Sequence, residues 1–211
     1  MGAANKNTIR LKDLNIGDYF KATPESTIKY IVFLKSPAQE AVLAVKEYLQ
    51  ADYVKFGDTA RYNGSYIDTT AINYIQTLSA KFQSQLTDYT FESQYSSDGT
   101  ALRENLTRKI FIPKAYYTDN AGPMTAALKV FYNTTDANTA RKARPLSVAT
   151  YRAYWNCDSK NNGTNYMYLV GGSGSAYSTD FPDRANGCIR FVFSMKQNAE
   201  VKLINGEYIL Q

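Results

Sequence analysis

A chain of 211 residues with 44% hydrophobic and 20% charged residues has the composition of a globular protein with room for a substantial core. It contains no histidine, which excludes Ser-His-Asp and Cys-His nucleophiles, histidine general bases and histidine metal ligands. The net charge of +5 comes from scattered cations whose densest cluster is Arg141, Lys142 and Arg144, too small a patch for nucleic-acid binding and expected on a solvated face.

The first residues, MGAANKNTIR, lack the apolar segment of a signal peptide, and no apolar run is long enough to span a membrane. We therefore expect a protein without a secretion signal. Its two cysteines, Cys157 and Cys188, are too few for a disulfide framework or a structural zinc site. We expect both to be small buried apolar side chains.

Three short strands are predicted first: TIRLKDL, GDYFKA and Ile28–Leu34, in which β-branched and aromatic residues dominate. A helix is then predicted from Ser36, a good N-cap, and Pro37, which suits the first helical position. Its apolar residues recur at helical spacing: Ala41, Val42, Val45, Tyr48 and Leu49. A second helix is predicted to start near Asp68, with an apolar stripe of Ala71, Ile72, Ile75, Leu78 and Phe82.

The pattern weakens between Tyr89 and Asn105, where QYSSDGT predicts a loop. KIFIP (109–113) predicts a short buried strand, and PMTAALKVFYN (123–133) predicts a short helix. From Tyr151 the chain alternates strands and loops, with YRAYWNC, NYMYLV, CIRFVFSM, AEVKLI and EYIL as the strands. Asn205-Gly206 between the last two strands indicates a hairpin, because both turn residues need positive φ. Helices in the first two thirds and strands at the end indicate an α+β fold in one compact unit.

The glycine-serine run GGSGS (171–175) is the feature most easily taken for a phosphate loop. A phosphate loop needs a lysine and a helix directly after its glycines, and the sequence that follows here, AYSTDFPD, has neither. A dinucleotide fingerprint fails because the third glycine and the helix are missing. The run is predicted to be a turn at a sheet edge, where glycines permit a tight backbone path.

No catalytic constellation emerges from the carboxylates. Asp180 and Asp183, with Arg184 beside them, form the one acid pair that a glycan hydrolase could use, and a solvated loop with a local ion pair is the simpler interpretation. The stretch WNCDS (155–159) has too few neighbouring carboxylates for a calcium shell. We predict no catalytic residue, no metal site and no cofactor.

The segment from Tyr151 to Tyr177 is unusually rich in Tyr, Asn, Ser, Gly and Asp. Recognition loops have this composition, since rigid rings supply contact area and small polar residues supply adaptable hydrogen bonds. An ordinary polar loop region in a tyrosine-rich protein is an equally open interpretation.

The chain resembles the C-type-lectin-like fold shared by formylglycine-generating enzymes, the variable proteins of diversity-generating retroelements and an uncharacterised family of bacterial surface and phage proteins. The resemblance lies in the aromatic pair Tyr154-Trp155, the hairpin MYLVGGSGSAY and the closing strand GCIRFVF with Gly187 and Arg190. Upstream, RKIFIP, NTTDANTARKA and the opening IRLKDLNIGDYF fit the same pattern. The family's Leu-Arg-Ser-Pro tetrad is absent, and Phe191 replaces the proline that follows the final arginine.

The resemblance implies one C-type-lectin-like domain over 1–211: N-terminal strands in 1–35, a helical and mixed part in 36–145, and a strand-and-loop ligand-binding part in 146–211. It implies two or more helices packed on short antiparallel sheets. The enzymes of this fold bind copper with paired cysteines near the closing strand, where this chain has Cys188 alone. The retroelement variable proteins use the loop-rich sheet as a ligand-binding face, which the composition of Tyr151–Tyr177 fits.

The function implied is therefore that of a non-enzymatic phage virion or surface protein, assembled in the host cytoplasm, that binds a host surface glycan or protein. We expect several copies on a particle or a homo-oligomer, and no nucleic-acid or membrane partner. One alternative is a capsid or tail decoration protein that binds other virion proteins, and a second is a carboxylate-based glycan hydrolase. The candidate ligand contacts are Tyr151, Tyr154, Trp155, Asn156, Asp158, Asn161, Asn162, Tyr166, Tyr168 and Tyr177. Strand alternation allows only some of them to face outward together, and Trp155 is also a candidate for the core.

Overall fold

The computed structural model describes residues 7–97, 100–115, 123–160, 165–176 and 178–211. Within these ranges the fold is α+β, as predicted, with most of the regular structure in strands. The strands are β1 Thr8–Arg10, β2 Tyr19–Lys21, β3 Tyr30–Ser36, β4 Ala41–Lys46, β5 Gln50–Val54, β6 Tyr89–Ser97, β7 Thr100–Arg108, β8 Ile110–Phe111, β9 Tyr154–Ser159, β10 Met167–Val170, β11 Ser178–Asp180, β12 Gly187–Ile189, β13 Val192–Lys196, β14 Glu200–Ile204 and β15 Glu207–Leu210. The α-helices are short: α1 Tyr66–Tyr74, α2 Ala80–Ser84, α3 Pro123–Phe131 and α4 Ala137–Arg141.

The strands form two larger sheets and a hairpin. The first sheet has the order β1-β14-β15-β2-β3-β4-β13-β8, and the second has the order β11-β10-β9-β12-β5. Strands β6 and β7 pair only with each other, in antiparallel register from Tyr89↔Arg108 to Ser97↔Thr100. Most pairs are antiparallel, and the exceptions are β15 with β2 and β9 with β12.

One large apolar cluster runs between these elements and takes in residues from Leu11 to Leu210. Helix α3 packs on β3, α1 packs near β8, and the β6–β7 hairpin lies against β9. All six residues of strand β9 are buried, and four of the predicted ligand contacts lie on this strand.

The predicted helix over Ser36–Leu49 is wrong. Ser36 and Pro37 do begin a helix, but it is a single 3₁₀ turn, Pro37–Gln39, which ends at Glu40 with φ 51°. The chain then enters β4, all six of whose residues are buried. Strand β4 pairs with β3 along one edge and with β13 along the other, so it lies inside the sheet. The burial of all six residues shows that both of its faces are covered as well.

The predicted loop QYSSDGT (94–100) is also wrong over most of its length, since β6 continues to Ser97 and β7 begins at Thr100, while residues 98–99 lie outside the described residues. The weakly patterned stretch from Tyr89 to Asn105 forms most of the β6–β7 hairpin. Alternate residues of β6, including Tyr89, Phe91 and Ser93, are buried as expected for a half-covered strand. The sequence does not predict strand β7, because Leu106 is its one buried residue and the strand therefore lacks an alternating apolar pattern. The part 36–145, predicted to be helical and mixed, thus contains β4 to β8.

The other predicted elements are confirmed. The helix expected near Asp68 is α1, continued by a 3₁₀ turn and α2. The strand in 109–113 is β8, the helix in 123–133 is α3, and most of the C-terminal strands form as expected. The exception is CIRFVFSM, predicted as one strand, which divides into β12 and β13 in different sheets. The Asn205-Gly206 turn has φ 50° and 82°, which is the positive backbone geometry that the hairpin requires.

Candidate ligand-binding site

The structure separates the ten predicted ligand contacts. Tyr154, Trp155, Asn156 and Asp158 all lie on β9 and are buried, with Trp155 0% exposed, so they are corrected from surface contacts to interior residues. Tyr151 is exposed, whereas Tyr166 and Tyr168 are half-buried. The predicted contacts Asn161, Asn162 and Tyr177 lie outside the described residues.

Strand β9 is buried because it lies between β10 and β12 in its sheet, the β6–β7 hairpin lies against it, and its Tyr154 side chain reaches the carbonyl of Arg141 in α4. The indole Nε1 of Trp155 donates to the Val54 carbonyl at 2.9 Å, and its ring meets that of Phe56 at 5.7 Å. The carboxylate of Asp158 accepts hydrogen bonds from the backbone amides of Gln94 and Ala115, both at 3.0 Å. These residues hold the sheet to its neighbours and present nothing to a ligand.

The exposed Tyr151 lines a cleft of about 300 Å³ that we call the tyrosine cleft. It is lined by Glu47, Tyr48, Tyr132, Thr139, Lys142, Ala143, Arg144 and Tyr151. These residues come from the chain after β4, the end of α3, the segment around α4 and the approach to β9. The volume is at the small end of the range for small-molecule sites.

Backbone hydrogen bonds bring the walls of the tyrosine cleft together. The amide of Leu49 donates to the Arg144 carbonyl at 3.0 Å, and the amide of Arg152 donates to the Ala143 carbonyl at 3.0 Å. The segment after α4 is therefore clamped between the end of β4 and the start of β9. This clamp places Tyr151 beside residues that lie about a hundred positions earlier in the chain.

The cleft combines aromatic surface with charge. The ring of Tyr151 is half exposed, with 50% of the residue surface accessible, and Tyr132 retains 36%. The ammonium of Lys142 lies 5.7 Å from the centre of the Tyr151 ring. Burial raises the pKa of the Glu47 carboxyl, although Lys29, Arg190 and Arg144 act in the opposite direction. Burial of the Tyr132 hydroxyl raises its pKa to about 12, so it stays protonated and can donate.

Behind the cleft lies a buried layer that contains the predicted contact Tyr154. Its hydroxyl donates to the Arg141 carbonyl at 3.1 Å and lies 3.4 Å from Nη1 of Arg190. The Arg190 guanidinium lies over the Tyr154 ring at 5.5 Å. Tyr154 therefore positions the end of α4 and an arginine, and contributes to the site through them.

The GGSGS run is a turn after β10, as predicted, but one of its glycines is packed. Gly174 has φ 89° and lies so close to the Asn138 backbone in α4 that a Cβ would collide with its carbonyl oxygen. The Arg141 guanidinium Nε donates to the Gly174 carbonyl at 2.8 Å. The run thus serves to dock this turn on α4, next to the tyrosine cleft.

The acid pair of the hydrolase hypothesis lies elsewhere, with Asp180 at the end of β11 and Asp183 in the loop that follows. The Asp180 carboxylate accepts hydrogen bonds from its own loop, at 2.6 Å from Asn186 Nδ2 and 2.8 Å from the Phe181 amide. Tyr166 packs on Phe181, with ring centres 4.4 Å apart, and the Arg184 guanidinium lies 4.7 Å from the Phe181 ring. Tyr166 is thereby engaged in a local aromatic stack.

Both cysteines are buried and free, as expected. In the part of the chain that the structure describes, no group of three or more cysteine, aspartate or glutamate side chains could hold a metal ion. Every helix in the described ranges is too short or too polar to cross a bilayer.

Of the predicted contacts among the described residues, Tyr151 lines the tyrosine cleft, and the sequence analysis did not select Glu47, Tyr48, Tyr132 or the cations of the cleft. The basic cluster 141–144 is the sequence signal that could have indicated them. A solvated face is predicted for this cluster, but Arg141 is buried, and Lys142 and Arg144 line the cleft. No protein-family model, curated protein or solved structure matches the chain. What the cleft can bind is therefore argued from its own residues.

Proposed function

We propose that this chain is a non-enzymatic binding protein of a phage particle, built on a C-type-lectin-like fold, which attaches to a host surface glycan through the tyrosine cleft. The observation that supports binding is the cleft itself, where exposed tyrosine rings and polar groups from distant parts of the chain converge. The fold name and the placement in several copies on a particle rest on the sequence resemblance.

A glycan suits the chemistry of this cleft. A sugar ring has an apolar face of C–H groups and a rim of hydroxyls, so an exposed tyrosine can cover the face while polar side chains bind the rim. Tyr132 and Tyr151 offer the rings. Thr139, Lys142 and Glu47 offer donors and acceptors around them. The small volume suits a short terminal segment of a glycan.

Binding is better supported than hydrolysis. A carboxylate-based glycosidase needs two carboxyl groups on either side of the scissile bond. Of the described residues that line the cleft, Glu47 alone carries a carboxyl group. The loop carboxylate of Asp180 is held by its own neighbours, away from the cleft lining.

The test is a glycan-array and whole-cell binding screen with the purified chain. We expect Tyr132→Ala and Tyr151→Ala each to weaken binding about tenfold or more, because truncated aromatic anchors typically cost that much. Tyr66→Ala removes an equally exposed ring from α1 and should leave binding unchanged. Circular dichroism on each variant confirms that the fold is kept.

Two outcomes would overturn the proposal. Binding that persists in both cleft variants but is lost on replacing Tyr166 and Tyr168 with Ala would move the site to the β10 edge. Binding to other virion proteins, with no glycan or cell bound, would favour the decoration protein instead.

A further inference from the structure

The arginines around the tyrosine cleft differ from most other arginines in the described chain, because no direct ion pair to a carboxylate involves them. Arg61, Arg103, Arg108 and Arg152 each form a direct ion pair. In the described ranges, no such pair involves the cations of the cleft and of the layer behind it, which are Arg141, Lys142, Arg144 and Arg190.

The clearest case is Arg190, which is 0% exposed. Its guanidinium meets neutral oxygens: the carbonyls of Lys46 at 3.1 Å and Glu47 at 3.5 Å, and the Tyr154 hydroxyl at 3.4 Å. A buried cation without a direct ion pair is unfavourable. The positive charge of Arg190 reaches the cleft, because it acts to lower the pKa values of Glu47 and Tyr132 in the cleft lining.

Arg141 adds a second buried cation to this layer. Its Nε and Nη2 donate to the Gly174 carbonyl and to Asn138 Oδ1, whereas its Nη1 has no hydrogen-bond partner. The carboxylate of Asp136, which interacts electrostatically with Lys142, is occupied as the N-cap of α4. The four cations Arg141, Lys142, Arg144 and Arg190 thus face two carboxylates, Glu47 and Asp136, so their positive charge is only partly neutralised by the protein around them.

Lys142 and Arg144 carry that charge into the cleft lining. The backbone carbonyl of Val148 accepts from Arg144 Nη1 at 3.1 Å, and the other guanidinium nitrogens have no hydrogen-bond partner among the described residues. A guanidinium with free donors can hold a carboxylate or phosphate in a two-point contact. Glu47 is the single opposing charge among the lining residues.

We infer that the ligand of the tyrosine cleft is an acidic glycan, whose sugar ring stacks on Tyr132 and Tyr151 while its carboxylate or phosphate binds Lys142 and Arg144. This inference rests on the proposed function and names the ligand class. The shared chemistry is an anionic group on a polyhydroxylated chain. Carboxylated sugars and phosphate-linked polyols are its two sources.

The experiment measures binding of the whole chain by calorimetry to three probes: an oligogalacturonate, its neutral galactose counterpart and a glycerol-phosphate oligomer. We expect one or both anionic probes to bind at least about tenfold more tightly than the neutral one, with affinity falling as salt rises. Lys142→Gln and Arg144→Gln should each weaken the anionic probe about tenfold. Glu47→Gln should strengthen it, and Lys81→Gln, which removes an exposed charge from α2, should have no effect.

The outcomes separate this inference from the proposed function. Neutral and anionic probes that bind equally and are both lost in Tyr151→Ala would keep the glycan site and overturn the acidic ligand. Anionic binding that survives Tyr132→Ala and Tyr151→Ala would overturn both the glycan site and the acidic ligand, because the probe would then bind by charge alone, without a sugar ring stacked in the cleft. Weaker anionic binding by Glu47→Gln would also contradict the inference, since it would make the carboxyl a contact and not an opposing charge.

Discussion

Lys46 is the residue whose replacement should have the most distinctive effect on stability. It is the last residue of β4, 4% exposed, and its ammonium donates to Gln50 Oε1 at 2.7 Å and to the Tyr74 hydroxyl at 3.1 Å. Burial lowers its pKa from 10.5 to about 8. Since each pKa unit corresponds to about 1.4 kcal/mol, the charged amine destabilises the folded state by about 3 kcal/mol at neutral pH.

Replacing Lys46 with Met, a side chain of similar size, removes that penalty and also two hydrogen bonds worth about 1 kcal/mol each. The variant should therefore be about 1 kcal/mol more stable than the wild type at neutral pH. Between pH 8 and 10.5 the folded wild type has lost the proton that the unfolded chain still holds, so the stability of the wild type rises with pH. Above this window the order reverses, and the wild type should be about 2 kcal/mol the more stable.

The assay is urea unfolding of both proteins, followed by far-UV circular dichroism at pH values from about 6 to about 10.5. The difference between the two proteins cancels the other groups that titrate in this range. Lys81→Met on the exposed side of α2 is the control and should change the free energy of unfolding by less than about 0.5 kcal/mol. A wild type and Lys46→Met that differ by the same amount at every pH would refute the reasoning, because the amine would then be as well solvated folded as unfolded.

Three further predictions concern buried groups. Arg108→Met leaves the buried carboxylate of Asp68 without its two-point partner and should lower the free energy of unfolding by about 3–5 kcal/mol. Arg103→Met at an exposed ion pair is the matched control and should cost less than about 1 kcal/mol, so equal losses in urea titrations would contradict the difference in burial. Gly174→Ala should cost about 3 kcal/mol or more, because positive φ and the collision with Asn138 act together, and an unchanged melting temperature would show that the turn can move away. The two thiols, fully buried and with pKa values raised by burial, should react with a thiol reagent in urea but not in the native protein, and fast native labelling would show an open path to them.

The fold could be predicted wherever a segment carries its own signal. The strands after Tyr151 and the Asn205-Gly206 turn follow from β-branched and aromatic runs and from a dipeptide that tolerates positive φ. The helix prediction over β4 is wrong because the apolar residues of AVLAVK fit a helical spacing as well as a buried strand. Periodicity cannot separate these two cases when nearly every residue is apolar, since the choice depends on whether neighbouring strands pair with both edges of the segment.

The candidate site could be predicted only in part, for a related reason. The composition of Tyr151–Tyr177 led to the exposed Tyr151 but equally to Tyr154, Trp155 and Asp158, which are interior. A strand with polar residues normally has a solvated face, and β9 departs from this because the β6–β7 hairpin lies against it. The amides of that hairpin and its neighbours satisfy the buried carboxylate of Asp158.

By itself the sequence determined the classes of chemistry, since a chain without histidine has no histidine base or ligand whatever its fold. It also determined the local elements whose residues prefer one backbone geometry over all others. The tertiary structure alone decided that Glu47, Tyr132, Lys142 and Tyr151 share one cleft and that the cations lining it form no direct ion pair among the described residues. Residues so far apart in the chain meet only through backbone hydrogen bonds and a common core, and no local preference encodes which of them will be neighbours.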